Sequence, residues 1–397
     1  MLIAGEASGD LLAAELVAAL REKSPGAVFF GAGGGNMKAA GVDMVYDMGQ
    51  LAVVGVTDVV RNIFEIRRVQ KLLLAEAVKR KPDAVIGVDY GGFNLRFGHA
   101  IKLQVRTQFG HGGSISRQVA AHIRDGGPKP PEPWLPKTVQ FISPQVWASR
   151  PKRADRMAPD YDLLLSIFPF EKEWYAKRVP QLRVEFVGHP MVERFAKEEG
   201  KRKKEEPSST TPQILLLPGS RRSELKQHLP AMLGAWKLIR GKIPQASASM
   251  VVPNETIAQL ARSLGADMPI QTGDITSALA DTDLAIAKTG TVTMECAFFR
   301  VPTVTLYKGS WLNYQIVRQV LTVKTFTMAN LLAGEEVYPE FLQYTLTAGN
   351  LAGAALEILQ NEDRRAKMRA QLDKVVASLG GPGATRRAAD AILSLFP

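Results

Sequence analysis

Residues 84–94 read AVIGVDYGGFN and residues 214–224 read ILLLPGSRRSE. Each starts with an apolar run, breaks at a glycine-bearing turn and continues into a segment that suits a helix. Strands covered on both faces read as such runs, whereas a strand with one wet face alternates apolar and polar residues. The same signal recurs at Ala27–Phe30, Thr138–Ile142, Leu163–Ile167, Ala248–Val252, Leu284–Ala287 and Thr303–Tyr307. Helical segments fit between them, for example Asp10–Glu22 and Ser223–Gly241. Strands alternating with helices predict doubly wound α/β domains.

The chain has 397 residues, enough for two domains. Residues 197–212, KEEGKRKKEEPSSTTP, are charged and then rich in Ser, Thr and Pro, and read as a solvated linker. The expected layout is therefore two Rossmann-like domains facing a cleft, over residues 1–196 and 213–365, followed by terminal helices over 366–397. In such sheets ligands bind at the carboxyl ends of the strands. Residues 108–137, with HGGS, GGPKPPEP and Trp134, read as a long irregular insert.

Composition narrows the classes of function. Hydrophobic residues at 46% and charged residues at 22% are those of a packed soluble protein and exclude a fibre, coiled coil or disordered tail. A single cysteine, Cys296, excludes an intrachain disulfide and a cysteine zinc cage. The five histidines show no ligand spacing, so no metal or other cofactor is expected and a reducing cytoplasm is the natural compartment. The formal charge of +11 points to an anionic partner or to a plain basic surface. No apolar run reaches the roughly 20 residues of a membrane span, and no signal-peptide pattern is present. The first strand is short, which leaves room for residues upstream. Residues 53–80 interleave Val, Ile, Phe and Leu with Arg61, Arg67, Arg68, Lys71, Lys79 and Arg80. That pattern fits a helix lying on an anionic membrane, and equally a core-packed helix with a wet basic face. No nucleic-acid-binding signature or aromatic stacking series is present, so nucleic acid is not an expected partner.

Four turns at strand ends carry candidate chemistry. In Gly5-Glu6-Ala7-Ser8-Gly9-Asp10, Ser8 can cap the following helix, whose free amides suit an anion or polar substrate; the turn also reads as purely structural. Asp89, at the end of the apolar run, can act as a general base if its pKa is tuned, or is a turn aspartate beside glycines. Gly219 and Ser220 free the backbone to approach a phosphate, which Arg221 can grip bidentately, with a capped turn as the alternative. Thr289, Gly290 and Thr291 offer hydroxyls and amides to phosphates, and Glu295, one turn further on, can accept both hydroxyls of a ribose. A hydroxyl-rich helix cap explains the same residues. Two such turns in one domain favour a nucleotide. Asp281-Thr282-Asp283 resembles a metal-binding string but precedes its strand, on the wrong side of the sheet.

The sequence resembles the lipid-A-disaccharide synthase family from end to end. The resemblance is carried in order by AGEASGD (4–10), LAVVGV (51–56), KPDAVIGVD (81–89), SPQVWA (143–148), FPFEKEWY (168–175), FVGHP (186–190), LLPGSR (216–221) and NLLAGEE (330–336). It implies a GT-B glycosyltransferase that joins UDP-2,3-diacylglucosamine to 2,3-diacylglucosamine 1-phosphate, releases UDP and inverts the anomeric centre. It further implies Asp89 as the base on the acceptor 6-hydroxyl and Arg221 as an activity residue on a phosphate. Thr289, Gly290, Thr291, Glu295 and Asn330 would lie at the UDP site, with Glu6 and Ser8 near the acceptor. It also implies peripheral attachment to the inner membrane, homodimers that exchange C-terminal segments, and a last helix packing back on the first domain. Where the family reads D-x-P-D-F-N, this chain reads DYGGFN, which removes a carboxylate and loosens the turn. The family's Pro before NLL is Ala329, and the 108–137 segment lacks a family counterpart of its length. Two rivals follow: a catalytically degenerate homologue that binds UDP or anionic lipid, and a UDP-sugar epimerase of the same architecture.

Overall fold

A computed structural model describes residues 1–49, 59–108, 134–199, 211–309 and 325–397. The LAVVGV stretch, most of the 108–137 segment and most of the 197–212 segment lie outside the described residues. The chain divides into two units, Met1–Pro190 with Gly383–Pro397, and Met191–Pro382.

The first unit runs β1 (Leu2–Ala4), α1 (Ala7–Lys23), β2 (Phe30–Gly33), α2 (Gly35–Ala39), β3 (Asp43–Asp47), α3 (Val59–Arg80), β4 (Ala84–Val88), α4 (Gly91–Gln108) and β5 (Lys137–Phe141). It continues with α5 (Val146–Ser149), α6 (Arg153–Met157), β6 (Leu163–Ser166), α7 (Pro169–Arg178) and β7 (Val184–Phe186). Its strands form one parallel sheet in the order β3-β2-β1-β4-β5-β6-β7.

The second unit opens with α8 (Met191–Glu199), β8 (Gln213–Leu217), α9 (Arg222–Lys242), β9 (Ser247–Val252), α10 (Glu255–Ser263), β10 (Ile270–Thr272) and α11 (Ile275–Ala280). It closes with β11 (Leu284–Lys288), α12 (Thr291–Phe298), β12 (Thr303–Tyr307), α13 (Met328–Ala333), β13 (Glu340–Leu342), α14 (Ala348–Gln360) and α15 (Glu362–Ser378). Its parallel sheet has the order β10-β9-β8-β11-β12-β13. Both units thus repeat the Rossmann strand order, which reverses between β1 and β4 and again between β8 and β11. The last helix, α16 (Ala384–Leu393), belongs to the first unit and packs on α1. Arg387 Nε donates to the Val187 carbonyl at 2.8 Å there, and Lys23 pairs with Asp390. By contrast α15 belongs to the second unit, burying Met368, Leu372 and Val375.

Burial explains the apolar runs. In β4, Val85, Ile86 and Val88 are buried, and each is worth roughly 1.5–3 kcal/mol. The first core joins Val85 to Ile3, Phe30, Val69, Leu73, Phe93 and Phe97. Two readings shift. The strand expected at Ala27–Phe30 is Phe30–Gly33 instead, and Val28 is 79% exposed. Helix α1 starts at Ala7 with Glu6 as its cap residue, so Ser8 lies inside the first turn and caps nothing.

Candidate functional site

In the first unit the strand order reverses where Ala4 of β1 pairs with Val88 of β4. The turns that leave these two strands lie against each other. A Cβ on Gly5 would fall 2.1 Å from the Tyr90 ring, so only glycine fits. Glu6 and Ser8 are exposed beside this contact. Asp10 is buried and structural: its carboxylate accepts from the Gly34, Asn36 and Met37 amides and from Asn36 Nδ2, at 2.7–3.1 Å.

Asp89 is half-buried, and no cation among the described residues pairs with its carboxylate. Burial pushes its carboxyl above the ordinary aspartate value; the Tyr90 amide opposes this, and the charge of Glu6 adds to it. The backbone here is strained, with φ of 51° at Asp89, 45° at Tyr90 and 68° at Ile142 on the neighbouring strand end. Each such residue costs on the order of 1–3 kcal/mol unless its surroundings hold it. Two amides do so: Asn94 Nδ2 and Gln140 Nε2 both donate to the Asp89 carbonyl, at 2.8 and 2.9 Å. The glycine pair expected to loosen this turn instead opens α4, whose first bonds return to the Tyr90 carbonyl. A cavity of about 310 Å³ holds Asp89, Ile142, Pro144, Gln145, Arg150 and Arg153 among its walls.

SPQVWA and FPFEKEWY meet under that cavity as a brace. Trp147 Nε1 donates to Glu171 at 2.9 Å, Ser143 Oγ lies 3.2 Å from the Tyr175 hydroxyl, and Trp147 meets Phe170 edge-on at 4.9 Å. Glu171 is fully buried, which pushes its carboxyl up to about 7 against the pull of Trp147 and the Phe168 amide. Phe168 packs on His189 of FVGHP.

In the second unit the reversal lies where Leu217 of β8 pairs with Ala287 of β11. Gly219 has φ 116°, and a Cβ there would lie 2.6 Å from Glu224 Oε2, which accepts from the Ser220 amide at 3.0 Å. The cap residue of α9 is Arg221 rather than Ser220, which puts Glu224 at capping-box spacing. Glu224 also pairs with Lys288 at 3.3 Å. Burial raises its carboxyl, but Lys288, the Ser220 amide and Arg221 outweigh that and hold it below the ordinary value. The Arg221 guanidinium is 77% exposed and only 3.7 Å from Glu224, so it remains open to a ligand.

On the adjoining turn the Thr289 hydroxyl is buried with no partner. Gly290 caps α12 without a side-chain bond, and Thr291 is exposed. Glu295 is half-buried, and among the described residues its carboxylate has no hydrogen-bond partner; burial alone pushes it up to about 7. Asn330 differs from these. Its amide is saturated, donating to the Tyr338 carbonyl and Glu340 and accepting from the Val337 and Tyr338 amides at 2.8–2.9 Å, and it is 1% exposed. In this structure its side-chain amide holds a loop.

Sequence reasoning missed His228. It sits four residues after Glu224 on the same helix face, the one signal available. His228 Nδ1 lies 2.8 Å from the Pro218 carbonyl, and Nε2 accepts from the Lys308 amide at 3.1 Å. The Pro218 carbonyl makes Nδ1 a donor, while Nε2 also lies 3.2 Å from the Lys308 carbonyl. Burial lowers its pKa against the opposing hydrogen bonds to Pro218 and Lys308, and the ring ties the turn after β8 to Lys308. Asn94 and Gln140 were missed as well; a glutamine inside the buried run of β5 was their signal. Asp283 of the Asp-Thr-Asp string caps the start of β8, accepting from the Gln213 amide at 2.8 Å, far along the strand from the turns. Among the described residues no group of three His, Cys, Asp or Glu is placed to hold a metal.

Comparison with known proteins follows the same lines. The family model for lipid-A-disaccharide synthetase matches residues 1–108 and 117–394. The break spans only 109–116, so most of the 108–137 segment has a family counterpart. The chain is 32% identical to the lipid-A-disaccharide synthase of Myxococcus xanthus over 406 aligned positions, covering all of this chain and 97% of that protein. It is 33% identical to that of Syntrophus aciditrophicus with the same coverage. Among solved structures, the Staphylococcus aureus MnaA–UDP complex superposes with a TM-score of 0.61 at 12% identity, covering all of this chain and 96% of that one. Acinetobacter baumannii MurG gives 0.51 at 17% identity, covering 99% and 98%. At those identities the structural likeness speaks for the two-Rossmann GT-B fold class alone.

Proposed function

The chain belongs to the lipid-A-disaccharide synthetase family, and from that premise we propose how its two strand-end sites divide the work of a hexosyltransferase. The reaction condenses UDP-2,3-diacylglucosamine with 2,3-diacylglucosamine 1-phosphate to lipid A disaccharide 1-phosphate and UDP. The observation that carries the reading is Asp89: a half-buried carboxylate without a cation, raised in pKa and held in strained backbone. In this reading it takes the proton of the acceptor 6-hydroxyl, and the oxygen then attacks the anomeric carbon from the side opposite UDP, inverting it. Glu6 and Ser8 flank the acceptor.

The nucleotide belongs to the second unit. Gly219, Ser220 and Arg221 take the diphosphate, with Thr289, Gly290 and Thr291 on its other side, and Glu295 accepts the ribose hydroxyls. Charge building on the leaving UDP meets amides and a guanidinium already in place. Asn330 acts by positioning α13.

No helix among the described residues is long and apolar enough to cross a membrane. Attachment is assigned to the outer face of α3, where Phe64 is 65% and Leu72 43% exposed beside Arg67, Arg68 and Lys71, while Val69, Leu73 and Ala77 face the core. A basic face with exposed apolar tips suits an anionic bilayer surface, here the inner leaf of the inner membrane. A homodimer remains the partner to test by sedimentation.

The deciding assay incubates the chain with UDP-diacylglucosamine, with and without acceptor. Acceptor-dependent UDP release with a disaccharide product supports the reading. A C2-epimerised sugar nucleotide would select the epimerase, which the likeness to UDP-sugar enzymes keeps in view. UDP binding without any product would select the degenerate homologue.

A further inference from the structure

A second cavity, of about 540 Å³, adjoins the one that holds Asp89, and the two share Gly91, Gly92, Leu95 and Arg153 as walls. Its floor is apolar, with Met157 and Tyr161. Its walls also carry Arg96 and Arg106 from α4, Arg153 and Arg156 from α6, and the His99–Asp160 pair, while Arg150, just before α6, lines the adjoining cavity.

The charges around it are unbalanced in a specific way. Three acids on α6 and in the loop after it already have partners. Asp155 pairs with Arg178 at 3.2 Å, Asp160 with His99 at 2.8 Å and Asp162 with Lys102 at 2.7 Å. Among the described residues none of Arg96, Arg150, Arg153 and Arg156 has a carboxylate partner. Burial, and then the charges of Arg150, Arg96 and Arg156, lower the pKa of Arg153, so these guanidinium groups sense one another. The unpaired guanidinium groups on these walls outnumber the carboxylates there, Asp160 and Asp89, so an anion of about two charges entering offsets their mutual repulsion. Arginine is also the side chain whose planar fork matches phosphate oxygens. By contrast Arg67 and Lys71 of α3 are exposed.

We propose that this arginine-rimmed cavity is a phosphate-monoester site that holds the 1-phosphate of the acceptor sugar while its 6-hydroxyl lies at Asp89. The assignment rests on the glycosyltransferase reading above. It deepens that reading by making the phosphate the handle that sets which hydroxyl reaches the base. The apolar floor at Leu95 and Met157 lies beside the sugar.

The test separates this site from the reading it rests on by measuring binding as well as turnover. Diacylglucosamine 1-phosphate and its dephosphorylated counterpart, in neutral detergent micelles, are titrated into the parent and into Arg153→Ala/Arg156→Ala. UDP affinity and the thermal midpoint serve as fold controls. The parent should prefer the phosphorylated sugar, and the variant should lose on the order of tenfold or more of that affinity while the dephosphorylated sugar and UDP bind as before. An unchanged preference in the variant overturns the site. A milder Arg153→Lys/Arg156→Lys pair should recover part of the affinity by charge alone; full loss with the lysines, or equal loss for both sugars, also overturns it. A third arm uses vesicles of phosphatidylcholine with and without phosphatidylglycerol. Loss of vesicle binding with intact sugar preference would assign the arginines to lipid headgroups and overturn the site. A parent that shows the preference yet forms no disaccharide leaves the phosphate site standing and removes the glycosyltransferase reading.

Discussion

The two sheets share one strand order, yet their carboxyl ends are built in opposite ways. At the end of β4 the chain forces non-glycine residues, Asp89 and Tyr90, into left-handed backbone and leaves a carboxylate without a cation. At the end of β8 the left-handed residue is Gly219, and the acid, Glu224, is bound to Lys288 and backbone amides. The first end stores strain and a carboxylate without a cation; the second stores an open guanidinium and the orphan Thr289 hydroxyl. Topology therefore decides where a site sits, and the few residues of each turn decide its chemistry.

The comparison breaks most sharply at Asp89. Asp89→Asn should lower acceptor-dependent turnover by roughly 10²–10⁴-fold, the range of a positioned general base, and steady-state UDP release reads it. Release equal to the parent's would remove the base from the first unit. Next in size is Gly219→Ala. With φ 116° and Glu224 Oε2 in the way, it should cost about 1–3 kcal/mol of stability and weaken UDP, seen as a lower thermal midpoint and a higher Kd. An alanine tolerated at no cost would mean that this turn is looser than Glu224 and Ser220 make it.

The pH response sharpens the contrast. As the proposed ribose acceptor, Glu295 accepts hydroxyls most strongly when ionised, and its carboxyl is raised to about 7. UDP affinity should therefore hold above pH 7 and fall below it by up to about tenfold per unit, with Glu295→Gln weaker and flat. For stability the sign is opposite. Glu295 and Glu171 bind their protons more tightly in the folded chain, so their contribution is complete below about 4.5 and is lost as pH rises through about 7. Glu171→Gln should remove part of that slope in thermal melts. The smallest effect is expected at Gly92, a helical position with open space around it. Gly92→Ala should stabilise by roughly 0.5–1 kcal/mol in denaturant titrations.

Much of this was legible beforehand, for reasons that can be named. Runs such as AVIGV and ILLL can only be strands covered on both faces, and their ends located Asp89, Arg221 and Thr289. The strands β7, β10 and β13 escaped because they are only three residues long and partly buried, and β3 because its ends are exposed and its middle only partly buried, so no apolar run marks them. Phe30–Gly33 was displaced because its own glycines hide the apolar signal. The brace between Trp147 and Glu171 and the amide grip of Asn94 and Gln140 join residues far apart in sequence, which no local pattern reveals. Asn330 illustrates the reverse: a motif residue assigned to the nucleotide turned out to be saturated by Tyr338, Val337 and Glu340.

The division of labour is tested most directly by calorimetric titration of UDP into Asp89→Asn and Arg221→Ala side by side. The account predicts that Asp89→Asn binds UDP like the parent, whereas Arg221→Ala loses about 1.5–3 kcal/mol of affinity, the worth of a charged hydrogen bond. If Asp89→Asn weakens UDP as much as Arg221→Ala does, or if Arg221→Ala binds unimpaired, the assignment of base and nucleotide to separate units is wrong.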